Sequence, residues 1–269
     1  MRSNDRGTTD RPPVTEVTPL DRRRIAWPDV RRGGRLVLRG HEVVVPGSAV
    51  VGIMGVNGAG KSTLMLQLAG LLRSARPRAG VAADAATVDS TTAFGHVGFA
   101  PQHAALPAWL TATEIARMFG LDISDLHRQH PAMRLDELVD TPATKLSVGQ
   151  QQAVSVAIAL AGDAPLVLLD EPFAPLDFRR RIALTEILRQ HVAGRVIMIS
   201  TQSAAELSAV CSWVLVLREG RCVFSGPIAA LTGPASDGER AVQRLEKRIM
   251  DMLDSDVSGS RIPSACHPP

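Results

Sequence analysis

The stretch GVNGAGKST, residues 55–63, constrains this chain more than any other. Its spacing, Gly55-x-x-x-x-Gly60-Lys61-Ser62, is the P-loop pattern, set between the apolar runs SAVVGIM and LMLQLAGLL. Glycines and other small residues let backbone N–H groups fold around a phosphate. The N-terminus of the following helix adds its dipole to the same anion site. A strand, a tight loop and a helix that share one phosphate cradle open an α/β unit. Residues Asn57, Gly58, Ala59, Gly60, Lys61, Ser62 and Thr63 are the expected nucleotide-binding set. Lys61 would reach the β- and γ-phosphates and the Ser62 hydroxyl would ligate Mg²⁺. A glycine-rich turn between strand and helix is the other reading of the same letters.

A phosphate cradle also needs a carboxylate on the metal side, at the end of a buried strand. PLVLLDEP supplies it. Asp170 is the expected Mg²⁺-side Walker B residue, and the adjacent Glu171 can polarise an attacking water. The other reading is an acidic strand end in solvent. Two carboxylates directly after a continuous apolar run argue against it, because they fall where a parallel sheet opens onto its site.

The rest of the chain alternates as βα units do. Short β-rich runs from Ile25 (RLVL, HEVVV and AVVGIM) precede the loop, with Pro46-Gly47 as a turn signal. A zone over 103–145 reads as mostly helical, opened by the capping box Thr111-Ala-Thr-Glu114. After PLVLLD come RRRIALTEILRQHVAG (helix), RVIMIS (strand), AAELSAVC (helix) and WVLVL (strand). Near the end, Ser236-Asp-Gly-Glu239 caps a helix with Val242, Leu245, Ile249 and Leu253 on one face. The expected organisation is a tail over 1–22, a nucleotide domain over 23–232, a C-terminal amphipathic helix over 233–254 and a tail over 255–269.

Composition excludes several classes. Tyrosine is absent and aromatics make up 3% of the chain, which argues against a single-strand stacking platform. The net charge of +3 demands no nucleic-acid partner. The three cysteines share no ligand spacing and read as reduced thiols. The opening MRSNDRGTTDRPP has no apolar core and does not read as a signal peptide. No apolar run reaches the roughly 18 residues of a membrane span, so work at a membrane would need a partner.

Between the two nucleotide motifs stands LSVGQQQ, residues 146–152, and with it the chain resembles the nucleotide-binding domains of ATP-binding cassette (ABC) proteins, whose signature reads LSGGQ. FAPQ resembles the family's Q-loop, APLD its D-loop and LREGRCVFSGP its terminal hairpin; LTATE is similar to a segment found in many exporter ATPases. The resemblance covers residues 23–232. It implies a P-loop core with a mixed sheet, an N-terminal antiparallel β region and a helical signature subdomain over about 103–155. It implies that Gln102 senses Mg²⁺ and the attacking water, and that Asp177 faces a second ABC ATPase domain. Ser147, Val148, Gly149 and Gln150 would meet the γ-phosphate of that partner, with ATP and Mg²⁺ bound between the two. ATP-driven closure would move a transmembrane permease from the cytoplasmic face of the plasma membrane.

Three departures from the family pattern bear on function. Val148 stands where glycine is usual. Arg32, in VRRGG, takes the place of the aromatic residue that stacks on adenine, with Trp27 the alternative if the loop is shifted. Gln202, in ISTQS, takes the place of the switch histidine; it can hydrogen-bond a γ-phosphate but cannot become cationic. The reading is therefore an ATP-hydrolysing transporter subunit, an exporter in preference to an importer. Its alternative is a slow-turnover subunit that clamps ATP and regulates a more active partner. A soluble relative acting on DNA or ribosomes is set aside, since neither a second cassette nor a coiled-coil insertion is evident. His127 and His130, three apart on a helix, lack a third ligand and read as a solvated face rather than a metal pair. The arginines of DRRR and RRGGR read as solvated rather than lipid-bound. The C-terminal helix reads as packing on its own domain rather than as a dimer contact.

Overall fold

The computed structural model describes residues 22–72, 96–190, 192, 194–233 and 238–254. The chain opens with four short strands, β1 (Arg22–Trp27), β2 (Val30–Arg32), β3 (Arg35–Leu38) and β4 (His41–Pro46). β1 pairs antiparallel with β4, and β2 with β3 across the turn Gly33-Gly34. Both turn glycines have positive φ, 54° and 80°, as a two-residue type I′ hairpin requires. Ile25 and Trp27 point inward at period two, as do Val43 and Val45. Arg22, assigned above to the tail, is already the first residue of β1, opposite Pro46.

β5 (Ala49–Met54) is buried throughout and leads into α1 (Lys61–Leu68). β6 (Val97–Ala100) follows. The zone read as mostly helical is less regular than expected. It holds the seven-residue helices α2 (Ala112–Met118) and α3 (Ile123–Gln129), then three 3₁₀ turns. Pro131 begins the first turn and Pro142 caps the third, and neither permits a long uninterrupted helix. The remaining elements are α4 (Val148–Leu160), β7 (Leu166–Leu169), α5 (Phe178–Gln190), β8 (Val196–Ser200), α6 (Ala204–Val210), β9 (Trp213–Arg218), β10 (Arg221–Pro227), α7 (Ala229–Thr232) and α8 (Gly238–Asp254).

The main sheet has the order β10-β9-β5-β8-β7-β6, parallel except for β10, which is antiparallel to β9. Successive strand residues enter opposite layers. Val51, Leu166, Leu168 and Met198 pack with α1 and the N-terminal strands, while Val50, Val167, Leu169 and Ile197 pack with α4 and α5. A sheet covered on both faces explains why these strands read as continuous apolar runs. Leu245 and Ile249 of α8 are buried against Leu207 and Leu231, with Val242 and Leu253 partly buried beside them. The amphipathic stripe therefore packs on its own domain. Ser236 and Asp237 of the expected cap, and the tails over 1–21 and 255–269, lie outside the described residues.

Candidate nucleotide site

The strands β5, β8, β7 and β6 are adjacent and parallel, so the loops at their carboxyl ends meet along one edge of the sheet. Those loops carry the residues singled out from sequence: residues 55–60 after β5, Gln102 after β6, Asp170 and Glu171 after β7, and Gln202 after β8. Crevices at the carboxyl edge of an open α/β sheet are where such folds bind ligands.

The glycine loop is shaped by close contacts. Gly58 and Gly60 have φ of 81° and 104°, conformations that L side chains rarely adopt. A Cβ on Gly55 would fall 2.4 Å from the carbonyl oxygen of Leu217 on β9. Lys61 is 5% exposed, and its Nζ donates to the carbonyl of Gly55 at 2.8 Å. Burial pushes its ammonium group below the usual lysine range; the Glu171 and Asp170 carboxylates act in the opposite sense. A hollow of about 280 Å³ opens over the loop, lined by Val37, Asn57, Gly58, Gly60, Lys61, Ser62, Thr63, Gln102 and Glu171. Ala59 is buried beneath it, and its carbonyl accepts from Gly220 N–H at 3.0 Å.

Gly220 is a supporting residue that motif reading missed. It forms the β9–β10 turn with Glu219, both at positive φ, and a Cβ there would fall 2.2 Å from Val37 O. Its own carbonyl accepts from Arg39 N–H at 2.7 Å. The turn thus ties the glycine loop to the strand segment after β3. The Glu-Gly pair of a tight hairpin was the one available sequence signal.

The carboxylates occupy different environments. Asp170 is 4% exposed and its Oδ1 accepts from the buried Ser200 hydroxyl. Glu171 has a φ of 46°, unusual for a non-glycine residue, and its N–H donates to Ser200 Oγ at 2.8 Å. Its side chain bridges two amides. Gln102 Nε2 donates to Oε2 at 3.1 Å and Gln202 Nε2 to Oε1 at 2.8 Å. Three segments remote in sequence thus converge on one carboxylate beside Lys61 and Ser62.

The other expected site residues lie elsewhere. Ser147 and Gln150 form a reciprocal capping box at the start of α4, and Val148 beside them is 62% exposed. A Cβ on Gly149 would fall 2.6 Å from Pro175 O, so this glycine is required by contact within the chain itself. Asp177 accepts from Arg180 N–H at 2.9 Å, which leads the groups holding its carboxyl below the usual range, and it also pairs with the Arg180 guanidinium. Arg32 is exposed at the β2–β3 turn. Trp27 is 4% exposed and donates to Arg39 O at 2.8 Å, which removes it as the alternative base-stacking group. His130 is 1% exposed, a core histidine rather than part of a solvated face, while His127 pairs with Asp136 at 3.3 Å. Among the described residues no group of three or more His, Cys, Asp or Glu is arranged to hold a metal ion.

A sequence model described as ABC transporter matches residues 38–174, from the end of β3 past the Asp170-Glu171 pair. The Nod factor export ATP-binding protein I of Sinorhizobium fredii is 30% identical over 74% of this chain and 61% of its own length. The human retinal-specific phospholipid-transporting ATPase ABCA4 is 29% identical over 75% of this chain and 9% of its own length. The chain therefore spans three fifths of the first relative and a small part of the second. A solved structure of the ATP binding subunit of an ABC transporter superposes with a TM-score of 0.63 at 26% identity, covering 81% of this chain and 98% of that one. With the glycine loop, the strand-end carboxylates and the mixed sheet in the expected arrangement, the chain belongs to the ABC transporter family and carries its ATP-binding, ATPase domain.

Proposed function

We propose that this chain binds and hydrolyses ATP as a subunit of a membrane ABC exporter. It would drive a transmembrane permease by closing on ATP against a second ABC ATPase domain. The observation that carries this reading is Glu171, a carboxylate on the rim of the Lys61–Ser62 hollow, fixed through both oxygens by Gln102 and Gln202. A general base must be oriented before it can take a proton from water, and these two amides orient it. Lys61 and the backbone N–H groups of Gly58 to Thr63 bind the phosphates. Ser147, Val148, Gly149 and Gln150, with Asp177, serve the partner's nucleotide. Ser62, Asp170 and the Gln102 amide oxygen are hard oxygen donors of the kind Mg²⁺ takes, and the ion would neutralise phosphate charge. Export in preference to import rests on the exporter named among the relatives. No helix among the described residues is long and apolar enough to cross a membrane, so the permease would hold the chain at the cytoplasmic face.

Lys61→Ala tests the site itself. Binding of a fluorescent ATP analogue should fall at least tenfold; unchanged affinity would refute the phosphate assignment. Co-purification with a membrane-spanning subunit tests the partner.

A second reading has its own observation. The side chain that holds Glu171 Oε1 is the neutral amide of Gln202, which cannot become an imidazolium. This favours a slow-turnover subunit that clamps ATP and regulates a more active partner. Equal ATP occupancy with phosphate release far below that of the partner chain would support it.

A further inference from the structure

Gln202 is exposed and borders a hollow of about 280 Å³ lined by Glu171, Ala174, Thr201, Gln202, Ser203 and Glu206, so close packing does not hold its side chain against Glu171. Its place rests instead on the backbone that joins β8 to α6. Both residues that flank it are tied down. Thr201 is 3% exposed, and its hydroxyl donates to Glu206 Oε2 at 2.5 Å, a short bond of the kind an O–H donor makes with a carboxylate. The Ser203 N–H donates back to Thr201 Oγ1 at 3.0 Å, and Ser203 Oγ caps α6 by accepting from Glu206 N–H at 3.3 Å. The other oxygen of Glu206 pairs with the Arg181 guanidinium on α5. The Glu206 side chain is 17% exposed, so this pair is less screened than one with both ends in solvent. Arg181 lies in the first turn of α5, where its N–H donates to Asp177 O at 2.9 Å.

We propose that Glu206 is a positioning residue for hydrolysis: by bridging Arg181 of α5 and Thr201 at the end of β8, it sets the backbone that presents the Gln202 amide to Glu171. Glu206 does not line the hollow over the glycine loop and acts through Gln202. Without its carboxylate the Thr201 hydroxyl loses an acceptor and the Arg181 guanidinium loses its partner. The link over 201–203 is then free to move, and Gln202 Nε2 no longer stays at 2.8 Å from Glu171 Oε1. Misplacement of an oriented group by about 1 Å can cost about 10² in rate. Binding of the phosphates is carried by Lys61 and the loop after β5, so affinity is spared. The inference rests on the hydrolysis reading above and adds the group that holds Gln202 in place.

The test measures phosphate release at saturating Mg-ATP, and affinity for a fluorescent ATP analogue, in the assembled complex. Glu206→Ala should lower kcat about tenfold to a hundredfold with affinity within about twofold of the parent. Glu206→Gln keeps an oxygen for the Thr201 hydroxyl and should stay within about threefold of the parent kcat. Thr201→Val removes the hydroxyl and should match Glu206→Ala, which serves if that variant does not fold. In a Gln202→Ala background, Glu206→Ala should cost less than about twofold more, because the group it positions is gone. A residue that only stabilises the fold would keep its effect in that background. Unchanged kcat in Glu206→Ala and Thr201→Val overturns the proposal, as does a full loss in the Gln202→Ala background or a fall of about tenfold in affinity. Hydrogen exchange supplies a readout without turnover. The Ser203 amide should lose protection in Glu206→Ala while the β8 amides keep theirs, and unchanged exchange also overturns the proposal. Absence of hydrolysis by an unmodified complex that binds ATP would refute the hydrolysis reading, and Ser203 exchange then decides the positioning by itself.

Discussion

Gln202 Nε2 donates to Glu171 Oε1 at 2.8 Å, joining the ends of two neighbouring parallel strands, β8 and β7, through their side chains. A histidine at the same place would offer a cationic donor as charge builds on the transferring phosphoryl group. Glutamine supplies a neutral one. In the proposed hydrolysis, Gln202 would keep Glu171 oriented as the base while offering a neutral donor in place of a cationic one.

Gln202→His should raise turnover. Loss of one preorganised donor commonly lowers kcat by about 10² to 10³, and glutamine recovers part of that, so a gain of roughly tenfold with little change in KM is expected. Phosphate release by the assembled complex at saturating Mg-ATP measures it. Equal or slower hydrolysis would mean the site is adapted to glutamine. Glu171→Gln should remove nearly all remaining turnover, because the water loses its base.

Gly149→Ala should destabilise the isolated chain without any partner present. The added Cβ would fall 2.6 Å from Pro175 O, which belongs to backbone rather than to a yielding side chain. Overpacking of this kind costs about 1–3 kcal/mol, or a fall in Tm of roughly 3–10 °C. Val148→Gly at the 62% exposed neighbouring position should change Tm by no more than about 3 °C. Thermal unfolding without nucleotide compares them; equal shifts would contradict the packing argument.

Gly220→Ala should weaken nucleotide binding although the residue lies outside every nucleotide motif. Its Cβ would fall 2.2 Å from Val37 O, so the β9–β10 turn must shift and its hydrogen bond to Ala59 O must lengthen or break. The glycine loop would lose that support. Weakening of analogue binding by about threefold to thirtyfold is expected, the scale of losing one buried hydrogen bond plus local strain. Unchanged affinity with lowered Tm would restrict the turn to a stability role.

Leu245→Ala tests whether α8 is part of the domain. Leu245 is fully buried against the α6–α7 layer, so the cost should be about 2–5 kcal/mol with the α8 amides losing protection in hydrogen exchange. A change in oligomeric state at unaltered Tm would instead assign the stripe to a dimer contact.

Local chemistry in the sequence determined the pieces. The glycine loop with Lys61, the apolar run ending in Asp170-Glu171, the Thr111–Glu114 capping box and the stripe of α8 rest on interactions within a few residues or on a fixed period. All four appear in the structure where the letters put them. Tertiary structure decided what those pieces meet. The order β5-β8-β7-β6 brings Gln102, Glu171 and Gln202 together, and no local pattern encodes contacts between segments so far apart. Burial separated Trp27 from Arg32 and withdrew His130 from solvent, because the alternative of leaving large side chains outside costs apolar surface. Gly220 became part of the phosphate loop's support only through a close approach of two backbones, and the absence of a side chain carries no periodicity for a sequence to reveal.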